Sequence, residues 1–276
     1  MVNYLEVNAT EQQSPASLLT KLEDIYQQIV SSKESSFNNR QLCDKLVASA
    51  FLQTSINLAG LENLPSHSGH IFLLNHHKVN PFYTLANGFQ ITLDTHILSS
   101  VLATQYPNIT SARVVRSGRY DECAHQNYFD KFSYIMVNTV ESDPQASANP
   151  SNQSQFQSFY QSAAEEISIG NNLILCPEGT SYQCEDSPGA FKAGAFKLAT
   201  MLKPEPLIIP VSIVHFDKVF GEFSPAMTFH QPFRMTDRIA VADRQTLAAF
   251  ILSFQQEYSD YIAQTRARLL TRSTVK

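Results

Sequence analysis

Two short segments bring together the residue types that proton transfer and anion binding need. Asn75-His76-His77 closes the apolar run at the start of IFLLNHHKVNPFYTL, and Pro177-Glu178-Gly179-Thr180 follows Cys176 at the end of NLILC. An imidazole, with an ordinary pKa near ~6.5, can take a proton from a weak nucleophile at neutral pH. A glycine-containing turn at a helix start, with lysine or arginine nearby, offers the N–H and cationic donors that an anion requires. Lys192 and Lys197 in AFKAGAFKLA, and Arg113, Arg116 and Arg119 in ARVVRSGRY, are the cations clustered closely enough to serve. Each segment alone has a plainer reading: polar residues closing a strand, a turn reversing the chain, a solvated strand end.

Both segments follow apolar runs, and polar residues beyond the carboxyl ends of strands in an α/β sheet lie where such folds take ligands. From Ile71 onward, strand texture (IFLLN, ARVVR, YIMVN, NLILC, LIIPVSI) alternates with helical texture, which predicts an α/β fold. Helical spacing appears in Phe156, Phe159, Tyr160, Ala163 and Ile167 up to Gly170, in AFKAGAFKLATML, and in the stripe from Leu247 to Tyr261 after a cap at Asp243. Two amphipathic helices precede the first strand, the first opened by Ser14-Pro15 and the two separated by SSKESSFNNR. The expected organisation is a polar tail at 1–13, a helical segment at 14–59 and an α/β domain at 60–276, with an exposed Ser/Gln/Asn loop at 145–158.

Composition narrows the class. A chain of 276 residues with 43% hydrophobic content can bury a sizeable core. A formal charge of −5, with no interleaving of basic and aromatic residues, excludes general attraction to nucleic acid. No run reaches the ~20 apolar residues that span a bilayer, and the N-terminus has neither a basic region nor an apolar core for secretion. A cytoplasmic protein is expected, any membrane contact being peripheral and on the inner face. Cys43, Cys123, Cys176 and Cys184 are scattered without a CxxC pair, so free thiols are expected and a metal role is not.

The order and spacing of NH, PEGT, an FKxGAFKLA stretch and an IIPV strand resemble the glycerophospholipid acyltransferases from about residue 60 to 235. The resemblance implies a mixed, largely parallel sheet flanked by helices. It also implies a signature NHxxxxD, in which the histidine is the general base and the aspartate orients it; Asn75 and His76 match its first positions. PEGT, which helps bind a glycerol phosphate acceptor in the family, is matched letter for letter by Pro177 to Thr180, and Lys192, Gly194 and Pro210 have counterparts. The implied reaction moves a fatty acyl group from acyl carrier protein or coenzyme A to glycerol-3-phosphate or a lysophospholipid-like acceptor. The thioester is a co-substrate and supplies a good leaving group, so neither cofactor nor metal is expected.

This chain departs from the pattern at two points. Five residues after His76 stands Pro81, and five after His77 stands Phe82, so the acid is missing from its place. Asn80 would fill that place after a one-residue deletion, and Asp94 in ITLDTHILSS would supply a carboxylate from further along the chain. An amide orients an imidazole but does not stabilise its charged form; in a serine protease the Asp to Asn change lowers turnover ~10⁴-fold. Three accounts stay open: Asp94, Asn80, or a silent site. The second departure is arginine, absent after EGT, where Ser181 and Tyr182 stand. The expected catalytic set is therefore His76 with Asn80 or Asp94. The expected binding set is Asn75, His77, Arg116, Arg119, Glu178, Gly179, Thr180 and Lys192. Two competing readings are a silent protein of this fold that binds a lipid or acyl carrier, and a hydrolase using Cys176.

Overall fold

The computed structural model describes residues 14–52, 56–117, 122–137, 152–241 and 243–273. The expected tail at 1–13 and Arg119 lie outside the described residues. Helix α1 (Pro15–Ser31) begins at the predicted cap: Ser14 Oγ accepts from Ser17 N at 3.3 Å, and Pro15 takes a first-turn position that has no intrahelical N–H partner in any case. Helix α2 (Ser36–Val47) is capped the same way by Ser35, whose Oγ accepts from Asn38 N at 3.2 Å, and runs on into a single π turn at Ala48–Leu52.

Seven strands form one sheet in the order β1-β7-β6-β2-β5-β3-β4. They are β1 (Asn57–Ala59), β2 (Ile71–Leu74), β3 (Ser111–Arg116), β4 (Ile135–Val137), β5 (Asn172–Leu175), β6 (Ile208–Val214) and β7 (Ala226–Phe229). All pairings are parallel except β6 with β7, so the sheet is mixed and largely parallel as expected. Strand alternation divides the core. Phe72, Leu74, Ile209, Val211 and Ile213 face a layer built with α1, α2, α3 (Leu93–Gln105) and α4 (Cys123–Phe129). Ile71, Leu73, Ile208 and Val214 face the other layer, with α5 (Asn152–Ser168), α6 (Gly194–Met201), the short α7 (Met235–Arg238) and α8 (Arg244–Ser273). Strands buried on both faces need no polar alternation, which is why they read as continuous apolar runs; each such side chain contributes about 1.5–3 kcal/mol.

Three details differ from the sequence reading. The helical stretch expected from Ala190 starts only at Gly194, because Lys192 N donates to Pro177 O at 2.6 Å and ties the preceding residues to the turn after β5. The loop expected through residue 158 gives way to α5 at Asn152, and residues 145–151 lie outside the described residues. Strand β1, which is only three residues long, was not foreseen, and neither was β7. The Asp243 cap is present, its Oδ1 accepting from Gln245 N and Thr246 N, both at 2.8 Å. Gly170, at φ 88°, ends α5 in the left-handed region that favours glycine. No described helix is long and apolar enough to cross a membrane.

Candidate active site

Strands β2 and β5 are parallel neighbours in register, Leu73 opposite Leu175, so both deliver their carboxyl-terminal turns to the same sheet edge. That places Asn75-His76-His77 beside Cys176-Pro177-Glu178. A second link fixes their spacing: Tyr182 N donates to His76 O and Lys78 N donates to Tyr182 O, both at 2.8 Å. Gly189 lies against the Tyr182 ring so closely that a Cβ there would sit 2.1 Å from Tyr182 Cζ, so any side chain at this position would displace the ring.

The acid beside His76 is Asp94. His76 Nδ1 donates to Asp94 Oδ2 at 2.7 Å across eighteen positions of sequence. The carboxylate also accepts from His77 N at 3.0 Å and Thr95 N at 2.7 Å, and it sits in the first turn of α3, where a helix favours negative charge. Burial pushes the Asp94 carboxyl up, but the His76 ring and these donors outweigh it and hold the pKa below the usual value. For His76 burial pulls the pKa down, while the Asp94 charge and hydrogen bond, with Glu178 adding, hold it above the ordinary histidine value. The ionised acid accepts only, so Nδ1 carries the proton and Nε2 the lone pair of the neutral ring. Asp94 is only 2% exposed, whereas the His76 side chain remains 21% exposed and reachable from outside.

Asn80, the other expected partner, is engaged elsewhere. Its Nδ2 donates to Asp217 O at 2.9 Å, and its Oδ1 accepts from Phe82 N at 2.9 Å, capping a short 3₁₀ turn at Pro81–Tyr83. The residues between this turn and α3 fold back on themselves: Leu85 N donates to Phe89 O and Gly88 N to Leu85 O, both at 2.9 Å, with Gly88 at φ 80°. This excursion separates the histidine from its acid in sequence while the two meet in space.

Glu178 is buried and points inward. Its Oε2 accepts from His76 N at 2.6 Å, and its Oε1 from Gly189 N at 2.7 Å and Ser187 Oγ at 3.2 Å. Burial raises its pKa, partly offset by those donors. The side chain therefore clamps the His76 backbone to the segment after the turn, while Gly179, at φ 70°, and Thr180 stay exposed at the rim. Exposed Lys192 is close by, its Cγ 3.3 Å from where a Cβ on Gly179 would stand.

Several expected binding residues are placed otherwise. Asn75 is fully buried: its Oδ1 accepts from Ile213 N at 2.8 Å, its Nδ2 donates to Ile213 O at 3.2 Å and Ser187 Oγ at 3.0 Å, and its own N–H meets Tyr258 Oη at 2.9 Å. It brackets β2 to β6 instead of facing a ligand. His77 is likewise sealed, and burial pushes its pKa down to about 4. Arg116 is paired with both oxygens of Glu122 at 3.0 Å, and Arg113 is a core residue, its Nη2 3.9 Å from Asp44 and its guanidinium 5.0 Å from the centre of the Tyr134 ring. The Cys176 thiol is pushed well up by burial, with Asp94 and Glu178 adding, which keeps it protonated and unsuited to attack. Sequence reasoning missed Ser187, Gly189 and Tyr258. Tyr258 read as part of an apolar helix stripe, yet its Oη donates to Val211 O at 2.5 Å while holding the end of β2.

Residues 55–214 match a family model described as Acyltransferase. No curated protein matches the chain. Among solved structures, the chain is similar to the crystal structure of the 1-acyl-sn-glycerophosphate (LPA) acyltransferase PlsC from Thermotoga maritima, with 14% identity and a TM-score of 0.49 over 90% of this chain and 97% of that one.

Proposed function

Since the chain belongs to the acyltransferase family, we propose that it transfers a fatty acyl group from an acyl thioester to the hydroxyl of a glycerol-phosphate or lysophospholipid-like acceptor, with His76 as general base. The observation that carries this reading is the 2.7 Å contact between His76 Nδ1 and buried Asp94, on a ring that stays partly exposed. His76 Nε2 takes the acceptor's hydroxyl proton as the oxygen attacks the thioester carbonyl. The tetrahedral intermediate then collapses, the C–S bond breaks, and the departing thiolate receives that proton back from Nε2. Asp94 stabilises the imidazolium between these steps and fixes the tautomer that makes Nε2 the acceptor.

Glu178 acts through the backbone, keeping His76 at the strand tip. Lys192, with the Gly179-Thr180 turn, is the group best disposed to meet the acceptor's phosphate, because Arg116 is already neutralised by Glu122. Acyl-carrier-protein and coenzyme A thioesters are both proposed donors. The test is transfer of labelled acyl chains from each donor to glycerol-3-phosphate and to lysophosphatidic acid by the purified protein. Transfer that His76→Ala abolishes is the expected result. Tight acyl-carrier or lipid binding, with no transfer to any acceptor, would replace the enzyme with a silent binding protein.

A further inference from the structure

A second polar cluster lies on the inner side of the same strand end, where His77 points away from His76. A ring nitrogen of His77, the Cys184 sulfur and an Asp217 carboxylate oxygen all lie within 4.8 Å of one another, and all three residues are buried. They come from the end of β2, the segment after the Glu178 turn and the loop after β6. We propose that His77, Cys184 and Asp217 form a binding site for a divalent transition-metal ion of the zinc type.

A second observation supports the site independently of the donor types. Asp217 Oδ1 is buried and without a hydrogen-bond partner, and it faces His77 Nδ1 at 4.0 Å. That separation is too long for a hydrogen bond. A tetrahedral ion with bonds near ~2.0–2.1 Å needs these donors ~3.4 Å apart, so seating it takes a small closure of the two side chains and replaces the hydrogen bond that His77 Nδ1 accepts from Phe216 N at 3.3 Å. The other oxygen, Oδ2, accepts from Cys184 N at 2.9 Å and meets Lys218 Nζ at 3.2 Å, which orients the carboxylate and leaves Oδ1 turned inward.

The donor set selects the class of ion. Calcium and magnesium take oxygen ligands, whereas one imidazole, one thiolate and one carboxylate suit zinc or cobalt. The thiol must lose its proton to bind, so metal uptake releases a proton; Arg266 Nη2 lies 3.7 Å from Cys184 Sγ. With three protein ligands the fourth position goes to water. The ion ties together three loops that frame the His76 site. It was invisible in the cysteine spacing because its ligands lie far apart in the chain.

Titration of the metal-free full-length protein with cobalt(II) tests the site. One equivalent giving a thiolate-to-cobalt charge-transfer band in the near ultraviolet, lost in both Cys184→Ser and Asp217→Asn, is the expected result. Zinc should also raise the melting temperature of the wild type and not of either variant. X-ray absorption on zinc-loaded wild type, which does not depend on the variants folding, should show one sulfur and otherwise nitrogen or oxygen ligands. Absence of sulfur from that shell, a cobalt band that persists in Cys184→Ser, or zinc that leaves the melting temperature of the wild type unchanged would each overturn the proposal.

Discussion

His76 and His77 are neighbours in sequence, each close to an aspartate, and their surroundings are opposite. His76 hydrogen-bonds Asp94 at 2.7 Å and keeps a fifth of its side chain exposed, so the acid's charge outweighs burial and its pKa stands above the ordinary value. His77 lies 4.0 Å from Asp217, beyond hydrogen-bond reach, and is sealed, so burial wins and its pKa falls to about 4. Successive residues leaving a strand point to opposite sides. One turn of chain therefore sends the first imidazole to the mouth and the second into a polar pocket of the core. Acid–base work needs both a close carboxylate and access, and only the first region has both.

The largest effect expected from breaking this contrast is that of His76→Ala, which should lower turnover by about 10²–10⁴-fold and also lower the melting temperature, since buried Asp94 loses the ring that pairs with it. Turnover within a few-fold of wild type would remove His76 as the base. Asp94→Asn should come next, with a loss in the same range but no larger than that of His76→Ala, and a change in pH dependence. The base must be neutral to act, so wild-type kcat/KM should fall as pH drops through a His76 pKa above ~6.5. With the charge removed, burial is left as the main influence and the acid limb should move to lower pH. A limb that stays in place in chelator-treated Asp94→Asn protein would break the link between this carboxylate and the ring.

The fold was legible where physics is local. Ser14, Ser35 and Asp243 cap helices by side chains three residues or fewer from the N–H groups they accept. The central buried strands β2, β5 and β6 announced themselves as apolar runs, whereas β7, equally buried, did not. The site was legible in part: His76 and the Glu178 turn stand out because they interrupt such runs, and Asp94 was one of two candidates for the acid. What separates Asp94 from Asn80 is the fold-back between Pro81 and Thr92, whose geometry rests on tertiary contacts such as Phe220 N donating to Tyr83 Oη at 2.7 Å. The direction of Glu178 was not legible either, because a glutamate in a turn reads as exposed unless its partners, Ser187 and Gly189, are known to return to it. Tyr258 was hidden for the same reason, its hydroxyl meeting β2 and β6 from a helix much later in the chain.

Glu178→Gln tests whether the clamp serves position and not chemistry. Three donors converge on the carboxylate, from His76 N, Gly189 N and Ser187 Oγ. An amide offers one acceptor and turns its NH₂ toward a donor, so a buried pair is left unsatisfied at a cost of about 1–3 kcal/mol. The melting temperature should fall by several degrees, at roughly 2–4 °C per kcal/mol for a chain of this size. Turnover should fall less than in Asp94→Asn, with the acid limb nearly in place. A loss as deep as that of His76→Ala in protein that remains folded would instead make Glu178 a participant in proton transfer.

The smallest effect belongs to Asn80→Ala and discriminates most finely between the two residues that sequence left open. Its side chain makes one bond to Asp217 O and one cap to Phe82 N, both at 2.9 Å, and both hold the fold-back that carries the chain toward Asp94. Losing them should lower stability by about 1 kcal/mol, visible in denaturant midpoint, and lower turnover only slightly through looser placement of the acid. The acid limb of kcat/KM should remain where wild type has it, because no atom of Asn80 meets the His76 ring. If the limb instead moves to lower pH in Asn80→Ala and stays put in Asp94→Asn, the amide holds the imidazole and the assignment of the two partners is reversed.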